Sequence, residues 1–164
     1  MITTINEKHF LTQKVIMKKK YTNKEIKLYH FFHEKTYIYP CHVISHRNFV
    51  FFFVKNSDYF KAKKLRNSLR KGSHYKILII RAENTLIRLL FGLFPDTYIH
   101  DITIDSNSTN KIVITLFFIF YKDRGIAIGR GGEYIIAVNE IFEKYIILKD
   151  FDIPIQIQCH FRKL

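Results

Sequence analysis

A chain of 164 residues is long enough for one medium domain or two small ones. Its hydrophobic share of 48% excludes wholesale disorder, while 27 Lys+Arg against 14 Asp+Glu give a net charge of +13 and point to a polyanionic partner. No apolar run approaches the roughly 20 residues that span a bilayer, so no membrane crossing is expected.

The charge is uneven. Residues 1–81 hold 18 Lys+Arg and four acids, a net of +14, whereas residues 82–164 hold nine and ten, a net of −1. That step marks a domain boundary near residue 81. Usage is skewed toward Ile, Lys, Phe, Tyr and Asn, with no Trp. An AT-rich coding sequence gives such a skew, which suits a plastid-type organelle genome or the cytoplasm of an AT-rich bacterium. The start, Met1 to Ile5, carries no signal-peptide or transit-peptide pattern. Cys41 and Cys159 lack a C-x-x-C partner and read as reduced, half-buried thiols.

In chain order, residues 1–35 form a basic, partly disordered tail with Lys14, Lys18, Lys19, Lys20, Lys24 and Lys27. Alternation of Ile26, Leu28, His30 and Phe32 offers a first strand as the alternative. Residues 37–45 and 49–54 read as a hairpin turned at His46, Arg47 and Asn48. A basic stretch follows, with Lys61, Lys63, Lys64, Arg66, Arg70 and Lys71, and no acid stands between Asp58 and Glu83. Gly72 then precedes a strand over 75–80. Short strands with a glycine turn suit a small, partly open OB-like barrel over 36–81, or from near 24, that binds single-stranded nucleic acid. Alternate members of Phe49, Phe51, Phe52 and Phe53 face its core; the others, with Tyr59 and Phe60, are candidates for base stacking.

The next segment reads as a helix capped by Asn84, striped by Leu86, Leu89, Leu90 and Leu93 and stopped by Pro95. A hairpin of 98–105 and 111–120 turns over 106–110. After it come a short helix, a glycine-rich turn, an amphipathic helix from Glu133 to Tyr145, and an alternating strand over 153–161.

Four of the six glycines, Gly125, Gly129, Gly131 and Gly132, cluster at that turn. Glu133-Tyr134 stand where a phosphate-binding P-loop needs Lys-Ser/Thr, and the glycine spacing is not that of a dinucleotide fingerprint. The run Gly129-Arg130-Gly131-Gly132 between two helices resembles the G-x-x-G loop of a KH domain, which clamps the backbone of about four nucleotides. That resemblance implies an RNA site made of the loop, the helix start at Glu133, and an apolar groove of Ile126, Ile128 and Ile135. It makes residues 82–164 a type II KH domain, in the order helix, strand, strand, helix, helix, strand. The fold class expected is therefore α+β.

The strand end Ile79–Arg81, the linking Asn84–Phe91, Phe94-Pro95-Asp96 running into Ile102–Ile104, and Ala137–Ile141 after the loop resemble the NusA family of transcription elongation, termination and antitermination factors. The resemblance implies single-stranded RNA as ligand and RNA polymerase as partner. NusA proteins also carry a polymerase-docking domain before the barrel and a second KH domain, and the sequence offers one glycine loop only. A ribosome-associated rRNA-binding protein of the small subunit is the alternative. Eight histidines are scattered singly, His42 and His46 fall in a strand-turn, and no nucleophile–base pair can be named. No catalytic set, metal site or cofactor is expected, and the chain does not read as an enzyme.

Overall fold

A computed structural model of the protein describes residues 6–107 and 110–164. The chain divides into two units, one of Lys19–Glu83 and one of Asn84–Leu164 joined by the residues up to Lys18. Among the described residues no helix is long and apolar enough to cross a membrane.

From Asn6 onward the N-terminal segment is not a free tail. Helix α1 (Glu7–Leu11), capped by the Asn6 side chain, buries Phe10 edge-on against Phe151 at 5.3 Å. Strand β1 (Val15–Met17) pairs antiparallel with Ile146–Leu148, and the Val15 N–H bonds the Asn84 carbonyl at 2.9 Å. These partners lie about 70 to 140 residues away, so no local pattern could announce them. Lys19–Glu83 is thus inserted, along the chain, between β1 and the rest of the C-terminal unit.

The N-terminal unit opens with α2 (Asn23–Thr36), where the alternation of apolar residues suits a strand instead. Leu28, Phe32 and Thr36 are buried, which is helical spacing, while Ile26 and His30 face out. Thr22 and Glu25 form a reciprocal capping box that fixes the first turn. Then come β2 (His42–His46), β3 (Phe49–Val54), α3 (Asn56–Lys64), α4 (Arg66–Lys71) and β4 (Lys76–Arg81). The hairpin turn falls at the expected residues, with Arg47 at φ 52°.

No closed barrel forms. The three strands make an open sheet of order β2-β3-β4, antiparallel at its first step and parallel at its second. A parallel neighbour requires a crossover, and residues 56–71, read in the sequence as a basic stretch, supply it as two helices. Val50, Phe52 and Val54 face these helices and α2, with Phe32 stacked on Phe52 at 4.4 Å. Such a ring pair adds about 0.5–1.5 kcal/mol beyond area burial. Phe49, Phe51 and Phe53 point the other way and are buried too.

The C-terminal unit continues with α5 (Leu86–Leu93), β5 (Asp101–Asn107), β6 (Lys111–Phe118), α6 (Tyr121–Ile128), α7 (Glu133–Tyr145), β7 (Ile146–Leu148) and β8 (Ile155–Phe161). The N-cap of α5 is Thr85 rather than Asn84, and the expected stripe Leu86, Leu89, Leu90 and Leu93 is buried. The turn expected over 106–110 lies partly on residues 108–109, outside the described residues. The sheet has order β5-β6-β8, again antiparallel and then parallel. Ile112, Ile114, Leu116 and Phe118 of β6 are buried alongside Ile157 and Cys159 of β8. With α1 and the paired short strands β1 and β7 set aside, both units share one order, α-β-β-α-α-β, with the same strand arrangement.

Candidate nucleic-acid interface

The helix pair α6–α7 is joined by a single 3-10 turn, Arg130–Gly132. Gly129, Gly131 and Gly132 have φ of 78°, 62° and 76°, so the reversal uses left-handed backbone three times in four residues. Gly129, at ψ 170°, occupies a region that only glycine enters readily, and a Cβ there would stand 2.8 Å from the backbone nitrogen of Tyr134. Gly131 is different: nothing lies within 4 Å of where its Cβ would be. One glycine is required by packing and the other leaves backbone bare to the outside.

The turn closes on itself through Gly132 N–H to the Gly129 carbonyl at 3.1 Å and Glu133 N–H to the Arg130 carbonyl. What it presents outward is the open Cα of Gly131 and the exposed Arg130 side chain. The start of α7 has no side-chain cap. Its positive dipole end has the Glu133 carboxylate in the first turn. That carboxylate competes with a phosphate for the same helix end, so Glu133 contributes as the helix start rather than as a charge.

Tyr134 holds the turn in place. Its hydroxyl donates to the Leu93 carbonyl at the end of α5, its ring meets Phe94 edge-on at 5.8 Å, and burial pushes its phenol well above the ordinary value. On the other side Asn139 ties α7 to β8. Its Nδ2 donates to the Ile157 carbonyl at 3.0 Å and its Oδ1 accepts from the Ile157 N–H at 2.8 Å. Because β8 is an edge strand, Asn139 also satisfies backbone groups that would otherwise stay open.

The expected apolar groove is brought together in part. Ile126 is 44% exposed, while Ile128 and Ile135 are half-buried. Sequence reasoning misses Ile136: it is 40% exposed, and its Cδ1 lies 3.9 Å from the Cβ position of Gly132. The signal for it is its place four residues after Gly132, on the same helical face.

The basic residues of the N-terminal unit sit elsewhere in kind. Lys61, Lys63 and Lys64 end α3, and Arg66, Arg70 and Lys71 lie on α4, so they cluster about the turn at Leu65. This is the helix–helix junction that corresponds by order to the glycine turn. Leu65 has φ −90° and ψ 0°, an ordinary turn that needs no glycine. Lys63 stands over the Tyr59 ring at 5.9 Å, and Arg70 donates to the Ile77 carbonyl at 3.1 Å, which anchors it to β4. Of the expected stacking residues, Phe49, Phe51, Phe52, Phe53 and Tyr59 are all buried; Phe60 alone is exposed, with the Arg81 guanidinium 5.2 Å from its ring. The β3 run is buried at all six positions, on both faces.

Residues 19–83 carry fifteen Lys+Arg against four acids, a net of +11. One acid is structural. Glu25, 1% exposed, accepts from Lys19 Nζ at 2.6 Å, from the Thr22 N–H at 3.0 Å and from the Ser45 N–H at 3.0 Å. Burial opposes its ionisation, but these donors outweigh it and hold the carboxyl below its ordinary value. Both cysteines are free; Cys159 is buried, which pushes its thiol up to about 12. No group of three or more metal-ligating side chains occurs among the described residues.

No protein-family model matches the chain, and no curated protein matches it. Among solved structures, the crystal structure of APE1850 is similar, with a TM-score of 0.59 at 21% identity over 87% of this chain and 100% of that one. At that identity the likeness bears on fold alone: this chain is an α+β protein that shares its fold with APE1850.

Proposed function

We propose that this protein is a NusA-like single-stranded RNA-binding factor of transcription elongation, termination or antitermination, built from two type II KH units. The observation that carries the reading is the Gly129–Gly132 turn. It presents bare backbone and an exposed arginine at the uncapped start of a 13-residue helix, beside exposed Ile126 and Ile136. A sugar–phosphate chain needs such close backbone approach, and unstacked bases need an adjoining apolar surface. The α-β-β-α-α-β order of both units supports the KH reading of each. A tandem would supply the second KH unit of the NusA pattern, in place of its barrel.

The two units divide the work. The C-terminal unit grips by backbone, and the N-terminal unit, whose junction lacks glycine, attracts by charge. Linking a weak clamp to a basic neighbour raises the effective affinity of both for one strand. A ribosome-associated rRNA-binding role is the second reading, favoured by the +11 carried on 19–83.

The test is titration of the full chain with single-stranded RNA and with duplex DNA across a salt series, for wild type and for Arg130→Asp combined with Gly131→Asp. Gly131 has open space, and aspartate tolerates left-handed backbone, so the variant keeps its fold. Preference for single-stranded RNA, lost in the variant, supports the clamp; equal binding to every polyanion by both proteins removes it. Co-purification with RNA polymerase subunits or with small ribosomal particles then separates the two readings.

A further inference from the structure

At the far end of α6 from the glycine turn stands Tyr121, 71% exposed, with its ring stacked on Phe161 of β8 at 3.9 Å and 11°. The β8 ring holds Tyr121 flat, and its exposure leaves the other ring face open. Phe120, also exposed, adjoins it in sequence, and Tyr98 lies 6.4 Å from Phe120. None of these side chains takes part in the loop.

Between Tyr121 and the turn lies Gly125. Glycine inside a helix costs about 1 kcal/mol relative to alanine. No packing explains it here, since nothing lies within 4 Å of where its Cβ would stand. Tyr121 and Gly125 are spaced i, i+4 and so share one face of α6, which carries no side chain at Gly125. From Tyr121 to the turn, α6 runs about 12 Å over its eight residues. Exposed Lys122 and Ile126 flank that face, one a cation and the other an apolar rim. The nearby acids are engaged: Asp123 accepts from the Tyr98 N–H at 3.1 Å, and Asp101 from Arg162 at 2.6 Å.

We infer that the Tyr121–Phe161 pair is a base-stacking platform for a nucleotide beyond those held by the glycine turn, with the strand backbone passing along the face of α6 over Gly125. The inference rests on the single-stranded RNA reading above and extends its site to a second, aromatic contact. Stacking on an open ring face is tolerant of sequence, so the platform lengthens the bound segment without selecting a base.

The full chain is titrated at fixed salt with oligouridylates of four and eight nucleotides, and with eight-nucleotide strands carrying an abasic site at one end or the other. Tyr121→Ala weakens the eight-nucleotide complex roughly five- to hundredfold, the range for one stacked base, and leaves the four-nucleotide complex unchanged. Tyr121→Phe binds as wild type. Tyr121→Leu, which keeps an apolar contact on Phe161, binds as weakly as the alanine variant. An abasic site at one end reproduces the loss in wild type and adds nothing in Tyr121→Ala. If Tyr121→Ala and Tyr121→Leu bind the longer strand as wild type does while the Arg130/Gly131 variant does not, the platform is overturned and the clamp stands. If wild type binds oligouridylate no better than duplex DNA, both are overturned.

Discussion

Two units of one order differ most at the junction between their paired helices. In the C-terminal unit α6 and α7 are joined through Gly129, Gly131 and Gly132, all left-handed; in the N-terminal unit α3 and α4 are joined through Leu65 at φ −90°, between Lys64 and Arg66. The joint is left-handed backbone in one and near-helical backbone in the other. Gly131 is used without packing need, whereas the joint at Leu65 stands between Lys64 and Arg66.

The sheets differ as well. The face of the first sheet turned from its helices carries Ile44, Phe51, Phe53 and Ile80, all buried. The equivalent face of the second carries Thr103, Thr115, Gln156, Gln158 and His160 by register, beside Val113 and Phe117. One sheet is apolar on both sides and the other chiefly on one, which is why β3 reads as a continuous apolar run and β8 as an alternation.

The comparison can be broken first at the buried ion pair Lys19–Glu25 of the N-terminal unit. Glu25→Ala leaves Lys19 buried without this carboxylate and the Ser45 N–H without its acceptor. Removing one partner of such a pair costs about 3–5 kcal/mol. Denaturant unfolding is expected to show this cost, in residues 19–83 rather than in the C-terminal unit when followed by hydrogen exchange. The sign with pH follows from the depressed carboxyl. Its contribution is full above the unfolded value of 4.5 and disappears as pH falls through the lower folded value. Glu25→Gln removes that part of the acid profile; an unchanged profile would mean that other carboxylates govern it.

The glycine turn comes next. Gly129→Ala places a methyl 2.8 Å from the Tyr134 nitrogen in a conformation that itself costs about 1–3 kcal/mol. Gly131→Ala meets no atom and carries only the left-handed cost of about 1–2 kcal/mol. Parallel melts are expected to rank Gly129→Ala as the more damaging. Equal losses would mean that Tyr134 yields and does not pin the turn.

Asn139→Ala deprives two backbone groups of Ile157 of their partner, at about 1–3 kcal/mol for each buried group left unsatisfied, less where water enters at the edge. Hydrogen exchange at Ile157 is the readout, with faster exchange expected in the variant. Unchanged protection there would show that β8 keeps its place without the amide.

How much of this is legible in the sequence varies with the range of the interactions. The C-terminal order from Leu86 to Phe161 can be read because each element carries its own signal: the leucine stripe of α5, the glycine cluster, the period-two alternation of β8. The N-terminal unit misleads at two points. Tyr59, Ala62, Leu65 and Leu69 recur at helical spacing through 56–71, but the density of lysine and arginine obscures the stripe. In 24–33 the alternation of Ile26, Leu28, His30 and Phe32 competes with the Thr22–Glu25 capping box, and the cap is the better guide, because Ile26 and His30 face out. The pairing of β1 with β7 and the buried bond from the Ser45 N–H to Glu25 depend on tertiary partners, and no window of sequence holds both sides.

The smallest effect per residue is expected at the cationic junction, and it sharpens the comparison most. Lys63, Lys64, Arg66 and Lys71 replaced together by glutamine leave the glycine turn intact and remove charge only from the N-terminal unit. Each phosphate that is no longer neutralised lowers the slope of log affinity against log salt by about 0.7 for a single strand. Arg70 is left in place because its bond to the Ile77 carbonyl makes it part of β4's support. The variant is expected to bind with a shallower slope and to converge on wild type at high salt, where counterion release matters least. The Arg130/Gly131 variant, by contrast, is weaker at every salt concentration, because it removes backbone approach as well as charge. Identical slopes for wild type and the glutamine variant would place the phosphate contacts wholly on the C-terminal unit. The division of labour between the junctions would then be wrong.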